Sequence, residues 1–187
     1  MRKCDCTNNS TSGSEFAEAV EEIQKHGYQI ESKKMHCPVC NAETVHYRLI
    51  LPGEISAKLR KRVLEHYKNT EAITLRQMLP SQLEVDHRFP QVRWSQDETY
   101  DPEMSEEQIH RTFQLLTREH NLWKSRYCER CKQTRERGTF IGINYFYKGG
   151  EMWDPNIAGD DERGCSGCFW YDPETWRNSL NSELERK

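Results

Sequence analysis

Leu83-Glu84-Val85-Asp86-His87-Arg88-Phe89-Pro90 and, after an acidic connection, Phe113-Gln114-Leu115-Leu116-Thr117-Arg118-Glu119-His120-Asn121-Leu122-Trp123-Lys124-Ser125 decide the fold. Leu83 to Asp86 suit a short strand, which Pro90 ends. Phe113 to Leu116 read as a second short strand. Thr117 is a fair N-cap for a helix running to about Tyr127. The connection holds Asp97, Glu98, Asp101, Glu103, Glu106 and Glu107 with no Lys or Arg between them. Within it, Ser105 and Gln108 have capping-box spacing and predict a short helix. Residues 83–127 therefore read as strand, long loop, strand, helix.

Upstream, residues 7–14 are a polar, flexible lead-in. Ser12 with Glu15 fits another capping box. Phe16, Val20 and Ile23 then recur at helical spacing, with Gly27 as a stop. His36 to Cys40 reads as a turn and Thr44 to Leu51 as a strand broken by Pro52-Gly53. A helix is expected from Glu54 to about Lys68, with Ile55, Leu59, Val63 and Tyr67 on one face. Lys58, Lys61 and Arg62 line another side, either a solvated face or one that contacts phosphate. Downstream, Phe140 to Tyr147 suggest a strand closed by Gly149-Gly150. Asp172-Pro173 opens a last helix that turns Trp176 and Leu180 inward.

The chain has 187 residues, a hydrophobic fraction of 35% and a net charge of -3. So thin a core usually needs staples, and the 8 cysteines are the obvious candidates. The charge excludes a wholly basic nucleic-acid coat protein but permits a local basic patch. No apolar run approaches the roughly 20 residues of a membrane span. Met1-Arg2-Lys3-Cys4-Asp5-Cys6 lacks the apolar stretch of a secretory leader, so an intracellular, thiol-reducing location is expected.

Three cysteine pairs have CxxC spacing: Cys37/Cys40, Cys128/Cys131 and Cys165/Cys168. Two such turns supply the four sulfurs of a tetrahedral structural Zn2+ site. Cys128, Cys131, Cys165 and Cys168 form the preferred set. Cys37/Cys40 remain open to closing with either pair, with His36 or His46, or with Cys4/Cys6. The expected layout is a flexible terminus (1–14), a helical and zinc-knuckle region (15–80), a central strand-helix core (81–131), and a C-terminal strand, knuckle and helix (132–187).

In this context the Asp86-His87 pair and the Leu-Leu-x-x-x-x-Asn-x-x-Lys run resemble the HNH, or ββα-metal, nucleases. The closest likeness is to the small zinc-containing HNH type II restriction endonucleases. The resemblance implies a small α+β fold: a ββα-metal core with zinc-bound cysteine knuckles and an N-terminal helical segment. It implies that Asp86 is an acidic ligand of a catalytic Mg2+, that His87 is the general base, and that Asn121 is the second metal ligand. His120 is the competing candidate for that ligand. The family's middle Asn is replaced here by Thr112, which would have to hydrogen-bond in its stead.

The chemistry gives independent support. Carboxylate and amide oxygens suit a hard cation, and a neutral imidazole can take a proton from water. Arg118 to Arg137 carries seven basic against three acidic residues. We read this stretch as the DNA-backbone face, with Lys124 and Arg126 in it and Arg88 and Arg93 adding contacts. Trp94, Trp123, Trp153, Trp170 and Trp176 are assigned to the core.

The expected activity is Mg2+-dependent cleavage of double-stranded DNA at a short sequence, in the bacterial cytoplasm, with no membrane role. A homodimer and a protective DNA methyltransferase are the implied partners. The alternatives are a phage or mobile-element nicking or homing enzyme, and a non-catalytic zinc-ribbon DNA binder.

Overall fold

A computed structural model describes residues 13–25, 29–38, 41–51 and 53–186. It is mixed α+β, and its described residues form two two-stranded antiparallel sheets. The chain divides into two compact units. One is formed by the residues through Ala57 with Glu98–Tyr100, the other by Lys58–Asp97 and Asp101–Lys187. No described helix is long and apolar enough to cross a membrane.

The first unit holds α1 (Gly13–Lys25) and a hairpin of β1 (Gln29–His36) and β2 (Glu43–Ile50). Gln29 lies opposite Ile50 and His36 opposite Glu43. β2 matches the expected strand. β1 was not anticipated, because Glu31-Ser32-Lys33-Lys34 shows no apolar alternation; it forms on the ladder its partner offers. The hairpin closes through Asn41 N–H donating to the Cys37 carbonyl (2.9 Å). Asn41 has φ 55°, a left-handed conformation that asparagine tolerates. Cys37 is buried. The expectations placed on Cys4, Cys6, Ser12, Gly27 and Cys40 lie outside the described residues.

The second unit begins with α2 (Ala57–His66), which buries Leu59, Val63 and Leu64. The cations on its other side pair within the protein. Lys58 meets Glu103, and Arg62 donates to the Pro102 carbonyl (2.6 Å) and lies 3.6 Å from Glu106. The acidic connection is thus partly neutralised by α2. Next come β3 (Leu83–His87), α3 (Glu106–Thr112), β4 (Phe113–Thr117) and α4 (Arg118–Thr134).

β3 and β4 are antiparallel, with Asp86 opposite Gln114 and His87 opposite Phe113. β4 is buried on both faces, from Phe113 through Leu116. The expected caps form. Gln108 N–H donates to Ser105 Oγ (3.2 Å) and His120 N–H to Thr117 Oγ1 (3.2 Å). Because Thr117 ends β4 and caps α4, strand and helix join without a loop, and the helix's register against β3 is fixed.

Residues 140–147 do not form the expected strand. Ile143 N–H donates to the Phe140 carbonyl (2.9 Å), and Ile141 and Gly142 both have positive φ (48° and 74°). This is a tight type I′ turn. The aromatic side chains of the run pack instead of laddering. Phe140, Tyr145 and Tyr147 lie against a core of Cys168, Phe169, Trp170 and Trp176, and Phe140 stacks on Phe169 at 3.7 Å between centroids.

α5 (Pro173–Leu184) contributes Trp176, and its N-cap is Asp172, which accepts from Thr175 N–H. Within Cys165-Ser166-Gly167-Cys168, Gly167 has φ 92°, and a Cβ there would lie 2.1 Å from the Lys148 carbonyl oxygen. Only glycine fits.

Candidate active site

Alternation along β3 sends Glu84 and Asp86 to one face, and α4 meets that face with Asn121 and Lys124, three residues apart on one side of the helix. Asn121 Nδ2 donates to Glu84 Oε2 (2.7 Å), and Lys124 Nζ donates to Asp86 Oδ2 (2.5 Å). Asp86 Oδ2 also accepts from Gln114 Nε2 (2.8 Å), across the β3–β4 pair. Lys124 is 2% exposed, and its ammonium donates in addition to the His87 carbonyl. The structure thus brings Asp86 and Asn121 to one strand-helix interface, but not onto each other: Asn121 answers Glu84, and Lys124 answers Asp86.

His87 lies on the other face of β3. The residue is 7% exposed, and its ring meets Trp94 edge-on at 4.9 Å and Phe113 at 5.1 Å between centroids. Burial pushes its pKa down to about 4, against the opposing pull of Asp86. At neutral pH the imidazole is therefore uncharged, the form that accepts a proton. Thr112 ends α3, and its backbone carbonyl accepts from Arg88 N–H (2.8 Å). The loop between the strands is tied there by the backbone and not by a side-chain amide.

His120 points elsewhere. Its Nδ1 lies 3.0 Å from Glu71 Oε1, which makes Nδ1 the protonated nitrogen of that pair. Glu71 is completely buried and also accepts from Ile73 N–H (3.1 Å), Thr74 N–H (2.5 Å) and Thr74 Oγ1 (2.8 Å). Glu71→Ala would take their shared, fully buried acceptor from these donors. Urea unfolding should show a loss of about 2–4 kcal/mol, and an unchanged midpoint would count against this network.

The basic residues need correction. Arg88 is 5% exposed and bonds the Phe113 carbonyl (3.0 Å), the Tyr171 carbonyl (3.3 Å) and Asp172 Oδ1 (3.3 Å). Arg93 is buried, with its guanidinium 3.8 Å over the Trp153 ring and 3.1 Å from Cys131 Sγ. Arg137 is buried and holds the carbonyls of Lys148, Gly150 and Ser166. With Lys124, these four cations are engaged inside the protein and not on a phosphate-contacting surface. Charge along a sequence does not reveal which cations find distant partners. Arg126 is exposed, as a surface contact requires.

Cys128, Cys131, Cys165 and Cys168 line one small cavity of about 20 Å³. Burial pushes the Cys128 thiol up to about 12 and raises Cys165 and Cys168 as well. Among the described residues, no group of three or more His, Cys, Asp or Glu side chains is closed up as a metal-ligand set.

The sequence reading missed Glu84, Gln114 and Glu71. Glu84 had a usable signal, since it lies two residues before Asp86 and so shares its strand face. Gln114 and Glu71 gave none, because their partners are distant in sequence.

A family model described as ICEA Protein matches residues 11–186. The type II restriction enzyme NlaIII of Neisseria lactamica is 35% identical over 71 residues, which is 36% of this chain and 28% of that enzyme. The chain therefore aligns with well under half of that relative's length. No solved structure matches.

Proposed function

The chain belongs to the ICEA protein family, and we propose that it is an endonuclease of type II restriction character that hydrolyses phosphodiester bonds of double-stranded DNA. The observation that carries this reading is the junction of β3, β4 and α4, where Glu84, Asp86 and Asn121 present hard oxygen donors within one interface. The partial likeness to a restriction enzyme supports it. We place the core in the HNH class, with Mg2+ as the catalytic ion, a homodimer as the acting form, a DNA methyltransferase as genetic partner, and the bacterial cytoplasm as the location.

The donor set fits a hard cation. Asp86 and Asn121 would hold Mg2+, with Glu84 beside them. When bound, the ion supplies positive charge where negative charge builds on the phosphate oxygens. The protein's own groups do the rest. Gln114 orients the Asp86 carboxylate. Lys124 neutralises that carboxylate in the resting protein, and its ammonium has to yield the carboxylate for a second cation to be held. His87, uncharged at neutral pH, would take the proton of the attacking water on a ring nitrogen.

The four thiols that line this cavity have the donor chemistry of a structural Zn2+ site, which supports Zn2+ as their ligand once they close on it. Burial holds the Cys128, Cys165 and Cys168 thiols in the protonated form, and a cation there would supply the charge that lets them ionise.

Incubating the purified protein with plasmid and Mg2+ tests the reading. Discrete double-strand fragments are expected; nicked circles would favour the nicking or homing alternative, and a shifted but intact plasmid the non-catalytic binder. His87→Ala should slow cleavage by about a hundredfold or more while DNA binding persists. Full activity in that variant would remove His87 from the mechanism.

A further inference from the structure

A cleft of about 490 Å³ opens on the outer side of α4, away from the carboxylates. Its helix wall is Trp123, Arg126, Tyr127 and Arg130, two aromatic rings four residues apart interleaved with two guanidinium groups at the same spacing. The opposite rim is Phe140 and Ile141, and the floor is Trp170. No acidic residue lines it. Its volume falls within the usual range for small-molecule sites.

The floor is rigid. Tyr127 stacks on buried Trp170 at 5.0 Å and 23°, and Trp170 Nε1 donates to the Thr139 carbonyl (3.2 Å). The rim is exposed. Trp123 is 39% exposed, Tyr127 36% and Ile141 74%. The sequence reading had assigned Trp123 to the core; its exposure departs from that. Trp123 is braced edge-on by His120 at 5.6 Å, and His120 is held by buried Glu71. Ile141 sits at φ 48°, which a β-branched residue rarely adopts, and this turn sets the apolar side chain at the cleft's edge. Arg130 is paired with Glu136 (2.7 Å), whereas Arg126 has no ion-pair partner among the described residues.

We propose that this cleft accepts an unstacked nucleobase of the DNA substrate, stacked on the exposed Trp123 ring beside Tyr127, with Arg126 on its phosphate. The proposal rests on the DNA-cleaving reading and deepens it. Flat aromatic walls suit any base face, and an unpaired guanidinium beside them suits a polyanion rather than a neutral peptide. The site lies on α4 but uses none of the residues that face β3.

The test compares two labelled single strands of about 12 nucleotides, one of thymidines and one abasic, by fluorescence anisotropy in Mg2+-free buffer. The two carry the same phosphates and differ in bases. The full-length protein should bind the thymidine strand about tenfold more tightly. Trp123→Ala should bring the ratio close to one, and Trp123→Phe should retain most of it. Arg126→Gln should weaken both strands by a similar factor.

Equal binding of both strands by the unmodified protein, or a preserved ratio in Trp123→Ala, would overturn the proposal. So would a dimer in sedimentation that Trp123→Ala dissolves, because a second copy would then own the cleft. Plasmid cleavage run in parallel separates the two readings. Cutting without base preference sinks only the cleft, and base preference without cutting sinks only the nuclease.

Discussion

Asp86→Ala should reduce DNA cleavage by about a thousandfold and at the same time destabilise the protein by about 3–5 kcal/mol. The two losses have different causes. Activity goes because the carboxylate is the leading candidate for holding the catalytic cation. Stability goes because Lys124 is left behind. Its side chain is 2% exposed, and Asp86 Oδ2 at 2.5 Å is its charge partner. A buried ammonium without that partner retains one backbone carbonyl and has no counter-charge.

The double variant Asp86→Ala with Lys124→Met should recover most of the stability and none of the cleavage. Urea unfolding and plasmid digestion read the two quantities separately. An unfolding midpoint unchanged in Asp86→Ala would show that the pair does not sustain the fold. Cleavage restored in the double variant would show that Asp86 is dispensable for chemistry.

The second large effect concerns the four-thiol cavity. The purified protein should carry Zn2+ there, and stripping it should lower the thermal midpoint by at least about 10 °C. The cavity joins the end of α4 to a segment that also packs on it through the Tyr127–Trp170 stack and the Arg137 bonds to Cys165 and Ser166. Cys128 and Cys131 sit on the last turns of α4, and Cys165 and Cys168 sit on an irregular segment after a long connection. Four metal–sulfur bonds would fix that connection to the helix. Cys168→Ser should lose the metal and reproduce the drop in midpoint without chelator. Elemental analysis and thermal unfolding suffice to check this, and protein purified without chelator that carries no zinc would end the proposal.

The central segment was legible because its signals are local. Thr117, Ser105 and Asp172 announce helix starts through side-chain oxygens that reach only two or three residues ahead, and all three caps are present. The periodic Leu59 and Val63 pointed to the buried face of α2, and both are fully buried. What failed was nonlocal. Arg88 and Lys124 carry the same charge as a surface cation, and only Asp172, Asp86 and distant carbonyls show that they are interior.

Phe140 to Tyr147 has a strand's composition. Gly142 allows a turn inside it, and the Trp-rich core offers its aromatics more burial than a ladder would. β1 was invisible for the opposite reason, since its residues are polar and its partner strand defines it. Cys128, Cys131, Cys165 and Cys168, the set preferred for one zinc site, line the same cavity, but no three of them close up as a ligand set.

α4 carries three separate surfaces on 17 residues: Asn121 and Lys124 toward β3, Trp123 and Tyr127 toward the aromatic cleft, and Cys128 and Cys131 toward the thiol cavity. An α-helix advances about 100° per residue. Dropping or adding one amino acid between Asn121 and Cys131 would therefore swing every downstream side chain by more than a quarter circle. All three surfaces cannot be kept in phase by any single compensating change elsewhere. This helix should accept many point replacements on its remaining outward positions yet admit no change in length, and libraries of single-codon deletions should return survivors from exposed loops elsewhere in the chain and none from its interior.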